Sequence, residues 1–136
     1  MKFVYIIEIL KHLLITELFE LVAAYIIGIR KKQNIKLIFI VNAVTNITLN
    51  SFLIFIVRKQ VLYLSGYTGI DIFAWHYVIL MLLEVTIVFV EANIYYKKMK
   101  LDDRCVFYKQ KNKHLVYIFI SLILNLSSVL GGRLFD

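Results

Sequence analysis

Glu17 and Glu20, Asn42, Asn46 and Asn50, Glu84 and Glu91, Asn93, and Ser121, Asn125, Ser127 and Ser128 are the residues able to do chemistry where little else can. Each interrupts a long run of Ile, Leu, Val and Phe. Carboxylate and amide oxygens suit protons and hard cations such as Na⁺, Mg²⁺, Ca²⁺ or Mn²⁺. Their spacing is helical: Glu17 and Glu20 are three apart, Asn42, Asn46 and Asn50 step by four, Glu84 and Glu91 are seven apart, and Ser121, Asn125 and Ser128 share a face. Each helix is therefore expected to carry one polar stripe.

The surrounding sequence dictates the helices. With 61% hydrophobic residues in 136 and a mean hydropathy of +0.79, the chain is more apolar than a soluble domain, and its natural solvent is lipid. There is no proline, and the alternating pattern of a membrane β-barrel is missing. A backbone in hydrocarbon must satisfy its own hydrogen bonds, and helices do so. The expected fold is an all-α, polytopic four-helix transmembrane bundle forming a single transmembrane domain over residues 1–136. Its spans run at about 3–29, 35–57, 71–96 and 115–132, each able to cross a core of ~30 Å at ~1.5 Å per residue.

The net charge of +7 is explained by where the charges sit, which removes nucleic acid as a partner. Arg30, Lys31, Lys32 and Lys36 form one cluster and Lys97, Lys98, Lys100, Arg104, Lys109, Lys111 and Lys113 the other, 11 of the 16 basic residues. The positive-inside rule then puts loops 30–36 and 97–114 in the cytoplasm of a multi-pass cell-membrane protein, with both termini outside. Glu8, Lys11 and His12 interrupt the first apolar run, so it reads as a retained span rather than a cleavable signal peptide. Glu8 is spaced to pair with Lys11 and His12 at the outer interface. The segment from Arg58 to Ile70 reads as an external loop with Ser65-Gly66 and Thr68-Gly69 turns. Tyr63, Tyr67, Trp75 and Tyr77 form an outer aromatic belt; Tyr95, Tyr96, Tyr108 and Tyr117 are expected to form an inner one.

Counting inward from the cytoplasmic ends puts Glu17, Asn46, Glu84 and Asn125 about 10 to 12 residues deep, roughly 15–18 Å and near the midplane. Glu20, Asn42, Glu91 and Ser121 form a second tier nearer the cytoplasm. A charge at the bilayer centre costs about 2.5–3.5 kcal/mol on the insertion scale, so these groups are expected to face the bundle interior. No lysine or arginine shares their depth, and desolvation favours at least one neutral carboxylic acid donating to an asparagine. The alternative is a bound cation, with Glu17 and Glu84 the first candidates as its ligands.

Other motifs carry less. Buried Asn, Ser and neutral Glu also glue helices together, and Ala24/Gly28, Ser127/Gly131 and Ser128/Gly132 are small-xxx-small pairs, the last two also a candidate dimer face. Asn46-Ile-Thr48 and Asn125-Leu-Ser127 match the glycosylation triplet at a depth where no sugar is attached. Cys105 is a lone cysteine with no partner for a disulfide or zinc. His12, His76 and His114 all lie near boundaries, which leaves the central acids without a histidine base.

A glutamate in the first span, an asparagine-rich second, two glutamates in the third and an N-x-x-S fourth resemble small uncharacterised four-span bacterial integral membrane proteins. The resemblance covers most of the chain through short motifs and implies four spans without an activity. Small multidrug resistance transporters also use a first-helix membrane glutamate, but this chain has three further membrane acids and no proline, so their site is not carried over. The leading expectation is a protein that binds or conducts a cation or protons through the Glu/Asn layer. An accessory or assembly subunit whose layer is structural comes second, and a carboxylate-dependent membrane enzyme third, since no nucleophile accompanies the acids. So short a bundle leaves little room for a pathway, so a homo-oligomer or a membrane protein partner is expected beside the lipid bilayer.

Overall fold

Apolar runs without proline leave the backbone no partner but itself, and in a computed structural model the chain is all-α. The helices among the described residues, 2–52 and 58–134, are α1 (Lys2–Ile26), α2 (Lys32–Phe52), α3 (Arg58–Thr68), α4 (Ile72–Lys98) and α5 (Lys113–Leu134). Residues 53–57, the outer end of the second expected span, lie outside the described residues, as do the side chains of Glu8 and His12 and the surroundings of Gly132. Among the described residues three helices are long and apolar enough to cross a membrane: α2, α4 and Lys113–Gly131 of α5. α1 is as long, at 25 residues, but carries Glu8, Lys11, Glu17 and Glu20.

The chain divides into two compact units, residues 1–43 with 88–136 and residues 44–87, so the boundary falls within α2 and α4. In the first unit α1 and α5 pack along each other. Gly131 permits the approach: a β-carbon there would come within 2.4 Å of the Phe19 ring. Gly131 is thus used inside the chain, against α1.

α1 ends in a Schellman motif, because Gly28 adopts φ +89°, where only glycine is unstrained. The Ile29 N–H donates to the Ala24 carbonyl at 2.9 Å and the Gly28 N–H to that of Tyr25 at 3.1 Å. Gly28 therefore terminates a helix; it does not pair with Ala24 in a helix-packing step. The basic segment after α4 docks on this end, with the Val106 N–H donating to the Ile27 carbonyl at 3.0 Å. Asn34 Nδ2 and Lys31 Nζ both donate to the Lys100 carbonyl, at 3.0 and 3.3 Å. Both basic clusters thus lie at the same end of the first unit. Within the segment Arg104 pairs with Asp102 at 2.9 Å and holds that carboxyl below the usual carboxylate range. Asn112 then caps α5, its Oδ1 accepting from the Leu115 N–H at 3.3 Å.

In the second unit, α3 replaces the loop expected from Arg58 to Ile70. The Ser65-Gly66 pair signals a turn in the sequence, yet Gly66 is held inside the helix at a cost of about 1 kcal/mol relative to Ala. The chain reverses later, at Gly69 (φ +69°), whose N–H donates to the Ser65 carbonyl at 2.9 Å. Trp75 is partly buried and donates Nε1–H to Thr68 Oγ1 at 2.9 Å, which ties the start of α4 to the end of α3. Leu49 and Val61 are buried in this unit.

Burial runs opposite to that of a soluble protein. On α1, Leu14, Leu18 and Val22 are 65%, 60% and 49% exposed while Glu17 and Glu20 are 3% and 1% exposed. The same inversion recurs on α5, where Phe119, Leu122 and Leu126 face out and Ser121 is buried. Apolar stripes of this extent in water would be aggregation sites; against acyl chains they are the expected outer surface.

Candidate functional site

Four buried polar residues of the first unit, Glu20, Asn42, Glu91 and Ser121, belong to two hydrogen-bonded sets drawn from four helices. In one, the Tyr95 O–H of α4 donates to Asn42 Oδ1 of α2 at 2.7 Å, and Asn42 Nδ2 donates to Glu20 Oε2 of α1. In the other, Glu91 Oε2 of α4 accepts from Ser121 Oγ at 2.9 Å and from Asn125 Nδ2 at 2.6 Å, both on α5. Asn125 Nδ2 also donates to the Ser121 carbonyl at 3.0 Å, so α5 presents its donors with a fixed orientation. Glu91 and Tyr95 are four residues apart on one face of α4, which lets that helix serve both sets.

Glu17 belongs to the same cluster by position. It is buried, and neither of its carboxyl oxygens has a hydrogen-bond partner among the described residues. Glu17, Glu20 and Glu91 all lie within electrostatic range of the Tyr95 hydroxyl, and Glu91 within range of Glu17. Three acids thus act electrostatically on one phenol, in a layer to which α2 contributes an amide and α5 an amide and a hydroxyl.

The sequence-derived residues divide between the two units. Glu17, Glu20, Asn42, Glu91, Ser121 and Asn125 are in the first; Asn46 and Glu84 are in the second, both half-buried. There the Asn46 carbonyl accepts from Asn50 Nδ2 at 2.9 Å. The residues brought together are therefore the inner tier plus Glu17 and Asn125. Asn93 is exposed, and Ser128 is buried. Among the described residues no three His, Cys, Asp or Glu side chains are grouped so as to hold a metal ion.

Two tyrosines assigned to the inner aromatic belt belong elsewhere. Tyr95 is fully buried in the polar layer, and Tyr117 is buried with its hydroxyl donating to the Met99 carbonyl at 2.8 Å. Tyr96 and Tyr108 are exposed, and Tyr96 stacks on His114 at 3.8 Å. The signal that identifies Tyr95 is its i+4 spacing from Glu91. Replacing Tyr95 with Phe keeps the ring and removes one donor to Asn42. It is expected to lower stability by about 1 kcal/mol, measured as a shift of the unfolding midpoint in mixed micelles. No protein-family model, curated protein sequence or solved structure matches this chain.

Proposed function

We propose that this chain is a four-span membrane protein that binds or conducts a cation or protons through the buried layer of Glu17, Glu20, Asn42, Glu91, Tyr95, Ser121 and Asn125. Glu17 is the observation that carries the reading. A layer that merely joins helices needs bonded groups, whereas Glu17 is enclosed with no hydrogen-bond partner among the described residues and contributes no joint. A buried acid without a partner is costly unless a ligand, water or proton satisfies it. The first helix is the fourth span, because its acids turn inward while Leu14, Leu18 and Val22 form an outward apolar stripe. Its 25 residues reach about 37 Å. The shared end of the two basic clusters supports a cytoplasmic placement for both, and hence N-out and C-out termini.

The test is flux in proteoliposomes under Na⁺, K⁺, Mg²⁺ and pH gradients. Native protein should carry one of these, and Glu17→Gln should lose at least tenfold in rate while keeping its helix content. Glu84→Gln tests whether the pathway extends into the second unit. Folded native protein giving no flux above empty liposomes would remove the reading. The second reading, an accessory subunit, is favoured by Asn93, an exposed amide in a groove lined by Phe89, Ala92, His114 and Ile118. An exposed amide beside His114 and three apolar side chains suits a helix of a partner, and a stoichiometric co-purifying protein would support it.

A further inference from the structure

We propose that the species this layer handles is the proton, and that Glu17 is the group that carries it. The assignment rests on reading the layer as an ion site, and narrows what that site takes.

The direction of the amides is the first argument. A Na⁺ or Mg²⁺ ion held by these carboxylates requires oxygen atoms converging on it. Here the donors converge instead. Asn42 turns Nδ2 toward Glu20 while its Oδ1 accepts from Tyr95, and Asn125 turns Nδ2 toward Glu91 beside the Ser121 hydroxyl. These N–H and O–H groups occupy lone pairs that a cation would use. An ionised Glu20 accepts only, so it faces the Asn42 amide N–H, and flipping that amide would set two oxygens against each other.

Glu17 supplies the second argument. Glu20 and Glu91 each accept at least one hydrogen bond from a side chain of another helix, and none reaches Glu17 among the described residues. A buried carboxylate that accepts no hydrogen bond keeps its charge only at high cost, whereas a carboxylic acid is neutral. Among the described residues the titratable groups in electrostatic range of Glu17 are Glu91 and Tyr95 on α4, and Glu20 follows it three residues on along α1; the residues bonded into the cluster from α2 and α5 are Asn42, Ser121 and Asn125, which do not titrate. Loading breaks an O–H bond of hydronium and forms one at a Glu17 oxygen, leaving water. Release reverses this, and nothing is oxidised or reduced.

Infrared spectroscopy of the full chain in lipid nanodiscs tests this across a pH series in NaCl, KCl and MgCl2. The expected result is a C=O stretching band of a protonated carboxyl that shifts on deuterium exchange and ignores the choice of cation. It should vanish in Glu17→Gln, persist in Glu20→Gln and Glu91→Gln, and return at a shifted position in Glu17→Asp, which retains a carboxyl. A band that survives Glu17→Gln, or carboxylate bands that move with Na⁺, K⁺ or Mg²⁺, would overturn the proposal. The flux assay fails separately: a Glu17 band without flux leaves a proton site that does not transport, and Na⁺ or K⁺ flux without the band leaves transport with a different cargo.

Discussion

Glu91→Ala lowers the stability of the first unit by about 2–3 kcal/mol, while Glu91→Gln costs about 1 kcal/mol or less; this is the expected result of unfolding both variants in mixed micelles. The difference follows from what Glu91 holds. One carboxyl oxygen accepts from both Ser121 and Asn125, so truncation removes two bonds between α4 and α5 together. Interhelical hydrogen bonds in membranes average about 0.6 kcal/mol and reach about 1.7, because a side chain released in the bilayer finds other partners. Two bonds and the space left by a missing carboxyl together reach the stated loss. Glutamine keeps a carbonyl oxygen that accepts from the same donors, so most of the network survives. A double-mutant cycle with Asn125→Ala isolates the shared part, with a coupling of about 1 kcal/mol expected. Additive effects would show that the two α5 donors do not depend on Glu91.

The all-α architecture and the inward turn of the acids are readable from composition and helical spacing. The exposed apolar stripe on α1 and its buried Glu17 and Glu20 follow directly from a spacing of three and four residues. Depth was harder to read. Counting residues from presumed ends assumes helices of equal tilt that start at one level, yet the observed helix ends beside the basic clusters are Ile26, Lys32, Lys98 and Lys113. From those ends Glu20 lies six residues in and Asn42 ten, and the two are nonetheless hydrogen-bonded. Equal residue count is not equal depth when helices cross. Local turn chemistry misleads in a similar way, since Ser65-Gly66 has turn composition while α3 runs through it to Gly69. Tyr95 and Tyr117 have interfacial composition, and packing decides against it by giving each hydroxyl a buried acceptor.

Two glycines with positive φ offer a controlled comparison, and Gly28→Ala is expected to be the most damaging single-methyl change in the chain. Gly28 and Gly69 have φ of +89° and +69°, so alanine at either carries an intrinsic strain of about 1–2 kcal/mol. Their surroundings differ. A β-carbon on Gly69 meets nothing within 4 Å, whereas one on Gly28 falls 2.0 Å from the Arg104 carbonyl oxygen and 3.0 Å from the Cys105 α-carbon. Those are backbone atoms, and they cannot move aside without undocking the segment after α4. Gly69→Ala should therefore cost about 1–2 kcal/mol and Gly28→Ala about 3–4 kcal/mol. Cys105 reports the undocking independently. It is buried, and burial pushes its thiol up against the lowering effect of the Phe107 backbone N–H. The thiolate is the reactive form, so maleimide labelling of the native protein stays slow through the ordinary thiol range. A raised thiol favours the folded state below its unfolded value, and that contribution is lost as pH rises through the folded one. In Gly28→Ala the thiol should label as an exposed cysteine does, at least tenfold faster at a given pH, and Gly69→Ala should label at the native rate. Equal labelling in all three proteins would mean that the contact between Gly28 and the Arg104 carbonyl does not hold the segment in place.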